Sequence, residues 1–335
     1  SVLVDVIGIA KFLLRFYCSR GLVKMRSINS QKIIKTLLFF IIFSSHMAFS
    51  HVNNSLVFYI HGDNSYSYLK NDKRKHADKE AYKQAKTIAK SCKNCEVFIF
   101  RELQKNIFFS AKAEYYREAS LVMKMNYHRQ RGEEDIRFYR EFTLKMQDKK
   151  NKIKSFFIYL GHHIPIDSVK GYSSSLPHLE FSLQDLTQKL LKLRVGLSLD
   201  FKFDGLILST CKNGNPQTVR ALSPFSKFII ASPESLHLSY FDFSDFFYLK
   251  DDFSTKRLMK NLAKKSFDTL SAEFKTVVSV ALYETSLTRN FVESFALKKS
   301  FRQKYEKERG VTIYYKAALF GRHKKRKVHS GWGEQ

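Results

Sequence analysis

Two short apolar runs end in the same way, and they constrain the fold more than any other feature of the chain. Phe156-Phe157-Ile158-Tyr159-Leu160 leads into Gly161-His162-His163, and Leu206-Ile207-Leu208 leads into Ser209-Thr210-Cys211. Runs of this length, bounded by turn formers, read as strands buried on both faces. Asn215-Pro216-Gln217 opens a helix directly after the second run, with Pro216 suited to the first helical position. In open α/β sheets the groups that do chemistry collect at the carboxyl ends of the strands. If the two runs are neighbours in a parallel sheet, His162 and Cys211 share one edge, close enough for a thiol–imidazole dyad. The plainer alternative makes Cys211 a small buried thiol and His162 a loop residue.

The alternation continues along the chain. Residues 56–60 form a first apolar run, followed by His61-Gly62-Asp63-Asn64. A helix is predicted over 78–91, its apolar face carrying Ala81, Ala85, Ile88 and Ala89, and a second strand over 96–100. Residues 120–147 alternate weakly around Arg131-Gly132-Glu133-Glu134, which predicts a β-hairpin turning there. Ser182 caps a helix over 183–193, and a strand follows at 226–231. Strands alternating with helices imply an α/β fold whose sheet is parallel or mostly parallel, with helices on both faces. Residues 51–250 make up this domain. Basic helices at 254–274 and 285–309 belong to a helical part, 251–310, packed on the core, and 311–335 is expected to be a basic tail.

With 335 residues, 44% of them hydrophobic and 15% aromatic, the chain can bury a large core, and with 13 glycines and 5 prolines it is not a low-complexity chain. The net charge of +27 favours anionic partners, yet the basic residues are spread along the sequence. Near the start, Arg26, Lys32 and Lys35 precede an apolar core, 37–43, and a small-residue site, Ala48-Phe49-Ser50. This is the pattern of a secretory signal peptide over 25–50, beginning at Met25, with 1–24 as an upstream extension. The apolar core is too short to span a bilayer. Export to a periplasmic or external space is expected, with a mature chain starting near His51; a retained anchor is the alternative. The dense run Arg322-His323-Lys324-Lys325-Arg326-Lys327 reads as a solvated tail or a contact with an anionic surface. No nucleic-acid-binding module accompanies it, so no specific nucleic-acid partner is expected.

Export changes how the 4 cysteines are read. Cys18 lies in the upstream extension. Cys92-Lys93-Asn94-Cys95 closes a helix, whereas a redox pair opens one, so a local disulfide is expected in an oxidising compartment. A zinc site would need a second ligand pair at ligand spacing, and none is evident. That leaves Cys211 outside the bridge, as a candidate nucleophile.

The order strand–His then strand–small–Cys resembles the caspase-like clan of cysteine peptidases, and within it the clostripain family. Val57 to Asn64 is similar to the family's opening strand; Leu160-Gly161-His162-His163 stands where the family has His-Gly, and Ser209-Thr210-Cys211 where it has Asp-Ala-Cys. Residues 215–234, ending in Ser232-Pro233-Glu234, resemble the helix, strand and Ser-x-Glu that follow, and 276–282 a later segment. The resemblance covers roughly 56–282. It implies a caspase-like three-layer sandwich and endopeptidase activity on peptide or protein substrates. His162 would be the base, Cys211 the nucleophile, and the backbone N–H groups of His163 and Cys211 the oxyanion donors. No metal or organic cofactor is required by this chemistry, although the resemblance implies that calcium can be used and that a loop such as Lys170-Gly171 can be self-cleaved.

The sequence departs from that pattern in two places. His163 replaces a glycine, and Ser209 replaces the aspartate that helps bind a basic substrate side chain. Glu234, Asp242 and Asp245 are the acids that could supply the missing charge, so Ser209, Glu234 and Asp242 are the candidate substrate-binding residues. His61-Gly62 fits strand–His–Gly better by letters than His162-His163 does. It ranks as second-choice base because the first strand is expected to lie far from the Cys211 strand. A catalytically inert relative that binds a peptide or polymer, or a basic surface-binding protein, is the competing reading.

Overall fold

The apolar runs ending at Ile60, Leu160 and Ser209 become the buried central strands that their lengths favour. The computed structural model describes residues 52–62, 67–70, 73–103, 110–128, 133–143, 153–172, 177–194, 201–236, 241–249, 253–296 and 309–321, together with 324, 329 and 332. All of them fall within one unit, Ser50–Gln335. β1 (Asn54–Ile60) is buried at every position, as a central strand covered on both faces must be. β2 (Ser67–Lys70) and β3 (Lys73–His76) pair with each other outside the main sheet. α1 (Ala77–Ser91) buries Ala81, Ala85, Ile88 and Ala89 on one stripe. β4 (Cys95–Glu102) is followed by the antiparallel pair β5 (Ala111–Arg117) and β6 (Ser120–Tyr127). α2 (Glu134–Thr143) then precedes β7 (Lys154–Leu160). A minor pair, β8 (Val169–Lys170) with β9 (Glu180–Phe181), leads to α3 (Leu183–Arg194), where the Asp185 N–H donates to Ser182 Oγ at 3.2 Å. β10 (Gly205–Ser209) is followed by α4 (Pro216–Leu222), with Pro216 in its first turn and the Thr218 N–H donating to Asn215 Oδ1 at 2.9 Å. β11 (Phe228–Ala231), a 3-10 turn at Ser244–Tyr248, α5 (Thr255–Glu273), β12 (Val278–Glu284), α6 (Arg289–Ala296) and β13 (Val311–Lys316) complete the order.

The main sheet runs β13-β12-β11-β10-β7-β1-β4-β5-β6. The central strands β11, β10, β7, β1 and β4 are parallel, and antiparallel strands close both sides. One core joins Val57, Tyr59, Phe98, Phe157 and Tyr159 to α2, α3, α4 and α6. The opposite face joins Leu56, Phe58, Val97, Phe156 and Ile158 to α1 and α5. The result is the three-layer sandwich, mostly parallel with helices on both faces, that the sequence predicts. From β1 the chain passes to β4 on one side and to β7, β10 and β11 on the other, so the order reverses between β1 and β7. Such a switch point opens a crevice at the carboxyl ends of the strands.

Several expectations are corrected. The hairpin turns at Glu118-Ala119, both with left-handed φ (51° and 64°), and 134–143 is a helix that buries Ile136, Phe138 and Tyr139. The part expected to be helical, 251–310, contributes β12 to the main sheet, paired with β11. The expected tail, 311–335, begins with β13, whose backbone pairs with β12, and Trp332 is buried in the core. Its Val-Thr-Ile-Tyr-Tyr run has strand propensity that the neighbouring basic cluster masks. The expectations for 1–24 and 25–50, and for Cys18, Asp63, Asn64 and the basic run apart from Lys324, fall outside the described residues. Among the described residues no helix is long and apolar enough to cross a membrane.

Candidate active site

The sheet sets the site before any side chain does. Leu160 and Ser209 are in register across the β7–β10 pair. His162 and Cys211 each stand two residues further on, past the carboxyl ends of neighbouring parallel strands. The Gly161 N–H donates to the Ser209 carbonyl at 3.3 Å, continuing the ladder to the rim. Two residues beyond the pair, the loops are joined again. The fully buried Asn213 accepts from the Ile164 N–H and donates to the Ile164 carbonyl, each at 2.9 Å. Thr210 Oγ1 donates to Asn213 Oδ1 at 2.7 Å. His162 and Cys211 are thus the midpoints of two loop segments of equal length, tied at both ends.

The nucleophile loop is held from behind as well. The Lys212 N–H donates to the Glu234 carbonyl at 3.1 Å, with Lys212 in the left-handed region (φ 54°), and the Gly214 N–H donates to the Ser232 carbonyl at 2.7 Å. A Cβ at Gly214 would lie 2.6 Å from the backbone at Ser232 and Pro233, so only glycine permits this approach. Tyr283 Oη and Trp332 Nε1 both donate to the Gly214 carbonyl at 2.6 Å. Cys211 carries a thiol that is part-buried, with its Sγ 3.0 Å from the Leu236 carbonyl.

The base side is lined with aromatic rings. His61, at the end of β1, is buried, and its Nδ1 lies 3.1 Å from Tyr159 Oη and 3.7 Å from Glu102 Oε1. Tyr159 and Tyr172 hydroxyls meet at 2.7 Å, and Tyr172 Oη donates to the His162 carbonyl at 2.9 Å. The His163 imidazole sits lower than usual in pKa, first because burial disfavours the cation and then because of Lys212. Its Nε2 is buried without a hydrogen-bond partner.

The remaining candidates are spread more widely. Ser209 is fully buried and its Oγ has no hydrogen-bond partner. Glu234 reaches the nucleophile loop through its backbone, as the Lys212 contact shows. Asp242 is taken up elsewhere: just before the 3-10 segment, its carboxylate accepts from the Ser244 N–H and hydroxyl and from Thr269 Oγ1 of α5. Asp245 pairs with Lys265 at 3.1 Å. His61 is nearer than expected, since β1 adjoins β7 and only β7 separates it from β10. Cys92 and Cys95 are joined to each other at the amino end of β4, far along the strands from the His162 rim. Among the described residues no group of three or more His, Cys, Asp or Glu side chains could hold a metal ion.

Sequence reading misses Asn213, Thr210, Tyr172 and Trp332. The run Thr210-Cys211-Lys212-Asn213 signals a polar turn, but the partner of Asn213 is 49 residues away.

No protein-family model matches the chain, and no curated protein sequence matches it either. Solved structures similar to it include an inactive zymogen C11 protease from Parabacteroides distasonis, at 13% identity and a TM-score of 0.48, over 76% of this chain and 68% of that one. Another is a secreted C11 cysteine protease from Bacteroides thetaiotaomicron in complex with an irreversible peptide inhibitor, at 10% identity and a TM-score of 0.49, over 74% of this chain and 69% of that one.

Proposed function

We propose that the chain is an exported cysteine endopeptidase that cleaves peptide bonds with a His162–Cys211 dyad. The observation that carries this reading is the equivalence of the two residues: one histidine and one thiol, each two positions past an in-register pair of parallel strands, with the loops clamped just beyond. The motif order that resembles the clostripain family supports it independently. In the reaction His162 takes the thiol proton, and the Cys211 sulfur attacks the scissile carbonyl carbon. Negative charge builds on the carbonyl oxygen, where the backbone N–H groups of His163 and Cys211 stabilise it. His162 returns the proton to the leaving amine, and water then hydrolyses the thioester to release the acid and restore the thiol. Export rests on the signal-peptide pattern at 25–50 and is decided by N-terminal sequencing of exported protein; a mature chain still carrying Leu37 to Phe43 refutes cleavage.

The test is turnover of a panel of short peptide amides varied in the residue before the scissile bond, measured on purified variants. Cys211→Ala and His162→Ala should each abolish cleavage, because a nucleophile and its base act as a unit. His61→Ala should cost far less. His163→Gly should keep or raise the rate, since it removes a side chain from the oxyanion region. Full activity in Cys211→Ala overturns the reading; loss in His61→Ala with His162→Ala unaffected moves the base to the first strand.

A second reading, contact with an anionic surface, is favoured by α1. Lys79, Lys83 and Lys90 are exposed along one stripe with the half-buried Lys86 between them, and Glu80, three residues before Lys83, is the acid at helical spacing from them. Elsewhere the chain does pair such charges, as in Lys264–Asp268 and Arg289–Glu293. Like charges at this spacing repel one another, and an external anion would relieve that repulsion. Salt-sensitive binding to vesicles of acidic phospholipid, lost when Lys83 and Lys86 are changed to Glu, tests it; binding unchanged in that variant rejects it.

A further inference from the structure

We infer that His61, Tyr159 and Tyr172 form a one-directional hydrogen-bond chain that sets the orientation of the His162–His163 peptide unit, and so act as positioning residues for the oxyanion donor; this rests on the peptidase reading. The direction follows from counting protons. The His162 carbonyl can only accept, so the single hydroxyl proton of Tyr172 is given to it, across 2.9 Å. Tyr172 therefore accepts from Tyr159, across 2.7 Å. Tyr159, its own proton used, accepts from His61 Nδ1 across 3.1 Å. His61 must then carry a proton on Nδ1.

The chain is built into the sheet rather than draped on it. His61 and Tyr159 project from the adjacent strand ends of β1 and β7, and their rings stand 4.9 Å apart, with Phe181 at 5.3 Å from His61. The His61 N–H donates to the Leu160 carbonyl at 2.8 Å, which fixes its backbone to β7. Gly161 leaves room for all of this. A Cβ there would come within 3.1 Å of the His61 backbone and side chain and of Tyr172 Oη.

The consequence lies in the geometry of the peptide bond. In a planar trans unit the C=O and N–H point in opposite directions. Holding the His162 carbonyl toward Tyr172 therefore holds the His163 N–H the other way. Without the Tyr172 hydroxyl the unit can rotate, and the donor loses its aim without any change to the thiol or the imidazole. The effect is confined to reactions that build charge on a carbonyl oxygen. Amide hydrolysis builds it; alkylation of the thiol by iodoacetamide, a displacement at carbon, does not.

This split supplies the experiment. Turnover of the best peptide amide and the rate of Cys211 alkylation by iodoacetamide, followed by mass spectrometry, are measured for the parent chain, Tyr172→Phe, Tyr159→Phe, His61→Asn and His61→Leu. Tyr172→Phe should lower kcat about tenfold while KM and the alkylation rate stay within about twofold, because the lost interaction operates only in the transition state. Tyr159→Phe should show the same pattern more weakly, which keeps the test alive if Tyr172→Phe does not fold. His61→Asn, which can still present an N–H near the Nδ1 position, should retain more activity than His61→Leu. Unchanged kcat in Tyr172→Phe overturns the inference, as does a parallel fall in turnover and alkylation. Alkylation of the parent that is indifferent to His162→Ala rejects the peptidase reading and this inference together. Alkylation that depends on His162, beside an unaffected Tyr172→Phe, rejects this inference alone.

Discussion

The side-chain amide of Asn213 grips the backbone of Ile164 from both sides, accepting its N–H and donating to its carbonyl, and so joins the loop after β10 to the loop after β7. In effect one asparagine extends the parallel ladder beyond the last true pair, Leu160 with Ser209. Between the two ties, His162 and Cys211 have little freedom to separate. Asn213→Ala removes these bonds and leaves the buried Ile164 groups unsatisfied, so it should lower stability by about 3 kcal/mol. It should also lower peptide turnover more than Asn213→Asp, which keeps the acceptor side. Urea unfolding and turnover measured on the two variants check this; Asn213→Ala with parental stability would remove the clamp from the account.

The opposite wall of the nucleophile loop depends on a residue far along the chain. Trp332 donates from Nε1 to the Gly214 carbonyl and stacks edge-on against Phe291 at 4.8 Å. Trp332→Phe keeps most of the packing and loses the hydrogen bond, and should cost about 1 kcal/mol. Trp332→Ala also opens a cavity and should cost about 4 kcal/mol. Removing 311–335 altogether strips β13 from β12 and exposes a strand edge, so aggregation is expected. Thermal unfolding with light scattering would show all three effects; a soluble, equally stable truncation contradicts them.

How much of this is visible in the letters depends on the range of the interaction. The paired strands ending in His162 and Cys211 are legible because burial on both faces writes itself as a continuous apolar run. The helix caps at Ser182 and Asn215 are legible because their partners are three residues away. The clamp at Asn213 is not, since an asparagine after a strand reads as local turn chemistry. The β5–β6 turn is hidden for a different reason: Glu118 and Ala119 adopt positive φ although neither residue type favours it. β13 is hidden by its surroundings, where a basic cluster dominates the composition of the segment. The closeness of His61 to His162 follows from sheet order, and a parallel order is not encoded locally at all.

The Cys92–Cys95 bridge ends α1 and begins β4, at the edge of the sheet opposite to the candidate site. With a sequence separation of 3, it closes a very short loop and should contribute about 2 kcal/mol through the unfolded chain. The double variant Cys92→Ser with Cys95→Ser should therefore unfold at lower denaturant while Cys211 alkylation keeps its parental rate. Mass spectrometry without reductant should show Cys92 and Cys95 linked and Cys211 outside the bridge. A bridge that includes Cys211 would end its candidacy as nucleophile.

Glu96 is a buried acid whose titration should make the stability of the fold depend on pH. It lies near the amino end of β4, in register with Ser55 on β1 and Arg117 on β5, and is buried. Burial pushes its carboxyl from 4.5 up to about 7, with the Ser55 hydroxyl and the Arg117 charge pulling the other way. Because the folded value lies above the unfolded one, the folded state binds the proton more tightly. Stability from this group is greatest below the unfolded value of 4.5 and declines as pH rises toward about 7. The whole decline amounts to about 3 kcal/mol, and above that pH it is complete. Glu96→Gln should be isosteric and uncharged throughout, so its unfolding free energy should lack this slope and exceed the parent's above neutral pH. Guanidinium unfolding of both chains from pH 4 to pH 8 measures the difference directly. Parallel curves across that range would mean that Glu96 stays ionised in the folded protein, with Arg117 outweighing burial.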